Sequence, residues 1–206
     1  MMFENRKLLT LVNLFSLVFF VAILVSVRSH SFLTRIDSWI SLHMSSLRMD
    51  WLTPWVKAVT DMNDFVGVAI FSFITILLFW RKEWYSDIGL FVMATLGSVG
   101  LFSGVKFLVE RARPDTAILE IGGYSFPSGH TTMATAMAFA CYFILKGKTD
   151  SKLLHTILFW AASGWTVLIA TTRIYLGVHW FSDVLGGFSL GLFWITLLRL
   201  VWKRVL

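Results

Sequence analysis

Long stretches without a charged side chain constrain this sequence more than any other feature. A helix needs about 20 residues to cross roughly 30 Å of bilayer hydrocarbon. Six charge-free windows approach or reach that length, and they cover residues 8–27, 65–80, 88–105, 121–145, 153–172 and 184–198. Only 15% of the 206 residues are charged and 57% are hydrophobic, whereas soluble domains carry about 25% charged residues. The chain is therefore predicted to be an integral membrane protein. One Cys and three Pro exclude a disulfide scaffold and a disordered chain.

The windows predict an all-α, polytopic membrane protein with six transmembrane helices. The window at 121–145 contains Gly122, Gly123 and Pro127, so that only the part after Ser128 is expected to be helical. The first window is longer than the apolar core of a signal peptide and is expected to be a retained helix. The predicted helices lie near 8–27, 63–81, 86–108, 129–147, 153–173 and 181–202. Residues 1–206 are expected to form a single membrane domain.

The segment between the first two predicted helices is amphipathic. Its apolar residues recur close to a helical period between positions 36 and 59, and polar residues stand between them. They are Ile36, Trp39, Ile40, Met44, Leu47, Trp51, Trp55 and Val59. Such a face with three Trp predicts a helix lying in the lipid headgroup layer, which Pro54 divides into two short helices. The alternative is a helix packed over the bundle.

The distribution of basic residues predicts the orientation. Six spans place both termini on one side, and the short loops of that side are almost purely basic, as cytoplasmic loops are. The basic residues on that side are Arg6, Lys7, Arg81, Lys82, Lys146, Lys148, Lys152, Arg199, Lys203 and Arg204. Both termini are therefore predicted to be cytoplasmic, in the plasma membrane, with segments 28–62, 110–128 and 174–181 outside. We attribute the net charge of +6 to the basic residues that set this orientation, and not to nucleic-acid binding.

Ionisable residues near membrane spans are expensive and usually functional. Three of them, Lys106, Arg113 and Arg173, are cations at the predicted outer face without a matching acidic cluster. Such a set predicts a site for an anion with several oxygens, such as phosphate. Ser128 and Gly129 open a predicted helix, and the N–H groups of a helix start bind phosphate well.

Two histidines and one aspartate complete a possible catalytic set at the same face. His179 and Asp183 are four residues apart, and at that spacing they share one face of a helix. The carboxylate can hold one ring nitrogen and leave the other as a nucleophile. His130, from another helix, is then free to protonate a leaving oxygen. Each signal alone is also typical of ordinary structure, and their joint occurrence carries the prediction.

These residues lie in three motifs that resemble the signature of the type 2 phosphatidic acid phosphatase (PAP2) superfamily. K-x6-R-P matches residues 106–114, P-S-G-H matches residues 127–130, and S-R-x5-H-x3-D matches residues 172–183. The one departure is Thr172 in place of the usual Ser, which keeps the hydroxyl. The motifs cover 106–183, and the six-helix layout extends the resemblance over nearly the whole chain.

The resemblance implies a membrane lipid phosphatase that needs no metal or other cofactor. His179 would take the phosphoryl group with Asp183 orienting it, and His130 would protonate the leaving group. The phosphate would be bound by Lys106, Arg113, Ser128, Gly129 and Arg173. The expected substrates are phosphatidylglycerophosphate, undecaprenyl pyrophosphate, phosphatidate and diacylglycerol pyrophosphate, hydrolysed at the extracytoplasmic face.

Several points stay open at the level of the sequence. A lipid or anion transporter, or flippase, using the same polar cluster is the alternative function, although the repeated half-bundles typical of transporters are not visible. Arg111 and Asp115 flank the first motif and are candidates for tuning headgroup access. Asp61, Asn63 and Asp64 either shape the rim of the site or cap the second helix. The oligomeric state cannot be read from the sequence.

Overall fold

The computed structural model describes residues 6–29 and 31–202, and every regular element in that part of the chain is an α-helix. The helices are α1 (Arg6–Arg28), α2 (Phe32–Ser46), α3 (Thr53–Asp61), α4 (Phe65–Arg81), α5 (Tyr85–Val109), α6 (Gly129–Lys146), α7 (Lys152–Tyr175) and α8 (Phe181–Val201). The six predicted helices correspond to α1 and α4–α8, with bounds that agree to within two residues. Lys203 and Arg204, which the orientation argument used, lie outside the described residues.

By length and apolar composition, the structure accounts for four or five of the six predicted spans. Four described helices, α1, α5, α7 and α8, are long and apolar enough, and α3 with α4 adds a fifth if that pair, bent by 48°, is one span. The chain is therefore a multi-pass membrane protein, but six spans are not all found. Of the other two helices, α4 has 17 residues and qualifies only together with α3, and α6 is too polar over its 18 residues, 13 of which are buried. Its Thr and Ala side chains face neighbouring helices, so that α6 needs little lipid-compatible surface.

The amphipathic segment between the first two predicted helices forms two helices, α2 and α3, as the sequence predicted. The break lies between Ser46 and Thr53, and Pro54 occupies the first turn of α3, where proline is well tolerated. One face of α2 packs on the bundle: Asp37 is buried, and Ser41 shares a hydrogen bond of 2.7 Å with Thr116. The opposite face exposes Trp39 and Leu42. Packing over the bundle, the alternative reading, therefore accounts for the buried face of α2.

Close packing of α6 on α8 positions the polar end of the bundle. A Cβ at Gly187 would lie 2.6 Å from the carbonyl oxygen of Ser128, and one at Gly191 would lie 2.5 Å from that of Thr132. Only glycine permits these backbone approaches. At the end of the same contact, the N–H of Ser128 donates to the carbonyl of Asp183 at 2.9 Å. The starts of α6 and α8 are thereby fixed to each other.

Candidate active site

His179 and Asp183 meet at the start of α8. The Nδ1 atom of His179 lies 3.3 Å from Oδ2 of Asp183, and both side chains are buried. The spacing predicted that the two residues share one face of a helix. They do not, because α8 begins at Phe181 and His179 precedes it. Asp183 instead folds back to accept the N–H of Trp180 at 2.9 Å. This capping contact brings the carboxylate to the histidine ring.

The second ring nitrogen of His179 faces the cationic part of the site. Its Nε2 atom lies 3.4 Å from Nη1 of Arg113. The pKa of His179 is lowered well below its ordinary value by burial and by the charges of Arg173, Lys106 and Arg113, with His130 contributing in the same sense. The ring is therefore neutral at physiological pH and carries a lone pair, as a nucleophile requires.

The three predicted cations converge around His179. Arg113 donates from Nη1 to the carbonyl of Val178 at 2.7 Å and from Nη2 to that of Gly122 at 3.2 Å, and burial lowers its pKa. Lys106 donates from Nζ to the carbonyl of Tyr124. The end of α5, the loop that follows it and the end of α7 thus deliver positive charge to one place.

Arg173 has an unused donor at the centre of this cluster. It is only 2% exposed, and its Nη1 donates to Oγ1 of Thr60 at 2.9 Å. Its buried Nε atom has no hydrogen-bond partner among the described residues. A buried guanidinium N–H without a partner is costly, and an anionic oxygen would satisfy it.

Ser128 and Gly129 occupy the start of α6 as predicted. Ser128 is the N-cap, and its hydroxyl accepts the N–H of Thr131 at 3.4 Å and the Thr131 hydroxyl at 3.0 Å. A Cβ at Gly129 would lie 2.9 Å from the ring of Phe102, which explains the glycine. The N–H groups of Gly129 and His130 lie in the first turn, where a helix offers no internal acceptor.

His130 is held by a residue whose role the sequence left open. Its Nε2 atom lies 2.5 Å from Oδ1 of Asp64, and its carbonyl accepts from Nδ2 of Asn63 at 3.0 Å. Asp64 stands at the N-cap position of α4 but makes no side-chain capping bond there. Of the two alternatives, Asp64 and Asn63 therefore belong to the rim of the site. Thr60, beside Arg173, is a further site residue that no sequence signal indicated.

Arg111, which the sequence offered as a candidate for tuning headgroup access, pairs with two buried carboxylates in the structure. Its Nη1 donates to Oδ1 of Asp183 and its Nη2 to Oδ2 of Asp37, both at 2.7 Å.

Among residues 6–29 and 31–202, no group of three or more His, Cys, Asp or Glu side chains is suited to hold a metal ion.

Fold and site together define a multi-pass helical membrane protein with a buried His–Asp pair inside a ring of cations. A sequence model of the PAP2 superfamily matches residues 88–205. The chain belongs to this superfamily and is a phosphatase of the PAP2 type.

Relatives support this assignment over most of the chain. Phosphatidylglycerophosphatase B of Bacillus subtilis is 32% identical over 189 residues, which are 89% of this chain and 92% of that protein. The crystal structure of a transmembrane PAP2 type phosphatidylglycerolphosphate phosphatase from Bacillus subtilis superimposes with a TM-score of 0.81 at 29% identity, covering 91% of this chain and 94% of the other. Decaprenylphosphoryl-5-phosphoribose phosphatase of Mycobacterium tuberculosis is 33% identical over 54% of this chain and 56% of its own length.

Proposed function

We propose that this protein hydrolyses a phosphate monoester or pyrophosphate on a membrane lipid through a phosphohistidine intermediate on His179. The observation that carries the proposal is the arrangement of the two ring nitrogens: Nδ1 faces Asp183 at 3.3 Å, and Nε2 faces Arg113 at 3.4 Å. A neutral imidazole oriented by a carboxylate and aimed at an anion site is equipped for nucleophilic attack.

In the first step, Nε2 of His179 forms a bond to phosphorus while the bond between phosphorus and the lipid oxygen breaks. Asp183 stabilises the positive charge that develops on the ring. Lys106, Arg113 and Arg173 bind the phosphoryl oxygens together with Ser128 and the N–H groups at the start of α6, and they stabilise the charge of the transition state. His130 gives a proton to the leaving oxygen through the ring nitrogen that Asp64 does not hold.

In the second step, water attacks the phosphohistidine. The same nitrogen of His130 takes a proton from the water, the nitrogen–phosphorus bond breaks, and inorganic phosphate leaves. His179 returns to its neutral form and His130 to its protonated form. The proton lost by His130 in the first step is thereby regained in the second, and the cycle needs no metal or other cofactor.

A lipid phosphate is the substrate class because the site lies in a membrane protein, at the end of helices whose outer faces are apolar. Phosphatidylglycerophosphate is the first candidate, since the relative named for that activity matches most of both chains. Undecaprenyl pyrophosphate, phosphatidate and diacylglycerol pyrophosphate are the others. The named activities of the relatives favour hydrolysis over the transporter alternative. Besides the lipid substrate, the bilayer is proposed as a partner of the protein, and nucleic acid is not.

Phosphate release from these four lipids in detergent tests the proposal. We expect release from at least one lipid, with phosphatidylglycerophosphate giving the highest initial rate. Vanadate should inhibit, because it mimics phosphate, and EDTA should leave the rate unchanged. No release from any of the lipids would contradict the proposed substrate class. A loss of activity in EDTA that added Mg²⁺ or Zn²⁺ restores would contradict the metal-independent mechanism.

The proposed orientation places six spans across the plasma membrane, with both termini cytoplasmic and the site extracytoplasmic. The basic loops at Arg81–Lys82 and Lys146–Lys148 support it. In a Cys141→Ala background, Asp50→Cys should react with a membrane-impermeant maleimide in intact cells. Asp150→Cys should react only after permeabilisation. The reverse pattern would contradict the orientation.

A further inference from the structure

Arg111 joins two buried carboxylates from different parts of the chain. Its Nη1 lies 2.7 Å from Oδ1 of Asp183, and its Nη2 lies 2.7 Å from Oδ2 of Asp37. The Asp183 side chain is 0% exposed and that of Asp37 is 1% exposed. The guanidinium also lies over the Trp180 ring, 5.3 Å from its centroid. Both arms of the arginine fork are therefore used.

Asp37 reaches this cluster from α2, outside the three motifs. Its Oδ1 accepts the N–H of Ser182 at 2.8 Å, and its Oδ2 accepts the Ser182 hydroxyl at 2.6 Å. Ser182 in turn accepts from Nη1 of Arg111 at 2.7 Å. Asp37 thereby contacts both the arginine and the residue that directly precedes Asp183.

The cluster determines which oxygen of Asp183 is available to His179. Oδ1 is occupied by Arg111, whereas Oδ2 accepts the N–H of Trp180 and faces Nδ1 of His179. A carboxylate bound at both oxygens cannot rotate about its own axis without breaking a charge-assisted hydrogen bond. Buried ion pairs contribute little net stability, so that fixing Asp183 is the more specific role for this one.

We propose that Arg111 and Asp37 are positioning residues for catalysis, which hold the Asp183 carboxylate in the orientation that directs His179 at the phosphorus. This inference rests on the proposed nucleophilic role of His179. It also gives the outer segment a role in the reaction, because Asp37 ties α2 to the start of α8.

Arg111 and Asp37 carry opposite charges. Removing one or the other should therefore shift the fall of kcat/KM at low pH, here called the acid limb, in opposite directions. The charged groups that face His179 are Lys106 from α5, Arg113 from the loop, His130 from α6, Arg173 from α7 and Asp183 from α8. None of these changes in an Arg111 or Asp37 variant. Losing the cation favours protonation of His179 and Asp183, which moves the limb to higher pH. Losing the Asp37 charge moves it to lower pH.

The experiment compares Arg111→Met and Asp37→Asn with wild type, using a lipid phosphate in detergent between pH 4.5 and 8. We expect kcat to fall up to about 100-fold in Arg111→Met, since small misplacements of reacting groups have effects of that size. We expect its acid limb to rise by roughly half a pH unit or more and that of Asp37→Asn to fall. The ionisation of the substrate is common to all variants and cancels in the comparison.

Matched controls are Arg35→Met and Asp50→Asn, which remove exposed charges from the same outer segment and should leave kcat and the acid limb unchanged. Arg111→Lys keeps the charge without the fork and should recover the position of the limb but only part of kcat. If Arg111→Met does not fold, the downward shift in Asp37→Asn decides the question alone. A partial loss of folded protein lowers kcat but cannot move the limb.

Wild-type acid limbs in Asp37→Asn and in every folded Arg111 variant would overturn the positioning role, even if kcat falls. That result would leave the proposed function intact as long as His179→Ala is inactive. An active His179→Ala would instead remove the proposed nucleophile, and the positioning role with it.

Discussion

Replacing His179 by Ala is expected to lower the rate of phosphate release by roughly 10⁴-fold or more, the scale of loss when a covalent nucleophile is removed. The physical reason is that, among the described residues, no other histidine contacts Asp183 and faces Arg113. KM for the lipid should change little, because Lys106, Arg113 and Arg173 remain to bind the phosphate. The measurement is initial-rate phosphate release from purified protein.

The matched control is His43→Ala, which removes an exposed histidine of α2 whose hydrogen bond and ring contact are both with Trp39. This variant should keep wild-type activity. His179→Ala should still unfold cooperatively above the assay temperature, although the cavity left by its buried ring lowers the midpoint relative to His43→Ala. Brief incubation with ³²P-labelled lipid phosphate should label the wild-type protein and not His179→Ala. Wild-type rates in His179→Ala would contradict the mechanism.

The helices could be predicted well because a membrane span appears in the sequence as a long run of residues without charge. The helices predicted from the charge-free windows agree with α1, α5, α7 and α8 to within two residues, and the Pro-Ser-Gly sequence placed the start of α6. Hydropathy is a weaker guide to whether α6 crosses the membrane, because most of its residues are buried against other helices. Hydropathy measures compatibility with hydrocarbon, and a helix enclosed by protein is not bound by that requirement.

The residues of the site were also predicted only in part. The motif residues are brought together as expected, whereas Asp37 comes from α2, Thr60 from α3 and Asp64 from the turn before α4. These residues carry no spacing relation to the motifs, since the contacts arise from how α2 and α3 fold over the bundle. Asp64 had been a candidate for the rim of the site, whereas the amphipathic pattern gave no sign that Asp37 is buried. Asp37 lies one residue after Ile36 in that pattern, where a solvent-facing side chain was expected.

Replacing His130 by Gln is expected to lower the rate on a lipid phosphate by about 10²- to 10⁴-fold, the range for loss of a general acid. Gln keeps a polar group that can bond Asp64, which His130 contacts at 2.5 Å, but it cannot deliver a proton. The loss should depend on the leaving group. An aliphatic lipid alkoxide needs protonation as it departs, whereas p-nitrophenolate leaves without it.

With p-nitrophenyl phosphate, His130→Gln should therefore release p-nitrophenolate in a rapid burst of one equivalent per protein and then slow down. The burst reports transfer to His179, and the slow phase reports hydrolysis of the phosphohistidine, which still lacks its base. Phosphorylated protein should accumulate in this variant and be absent from His179→Ala. His155→Gln, at the opposite end of α7 from Arg173, serves as the control and should match wild type. If His130→Gln loses the same factor on both substrates and shows no burst, His130 does not act on the leaving oxygen. Its contact with Asp64 would then serve only to shape the rim.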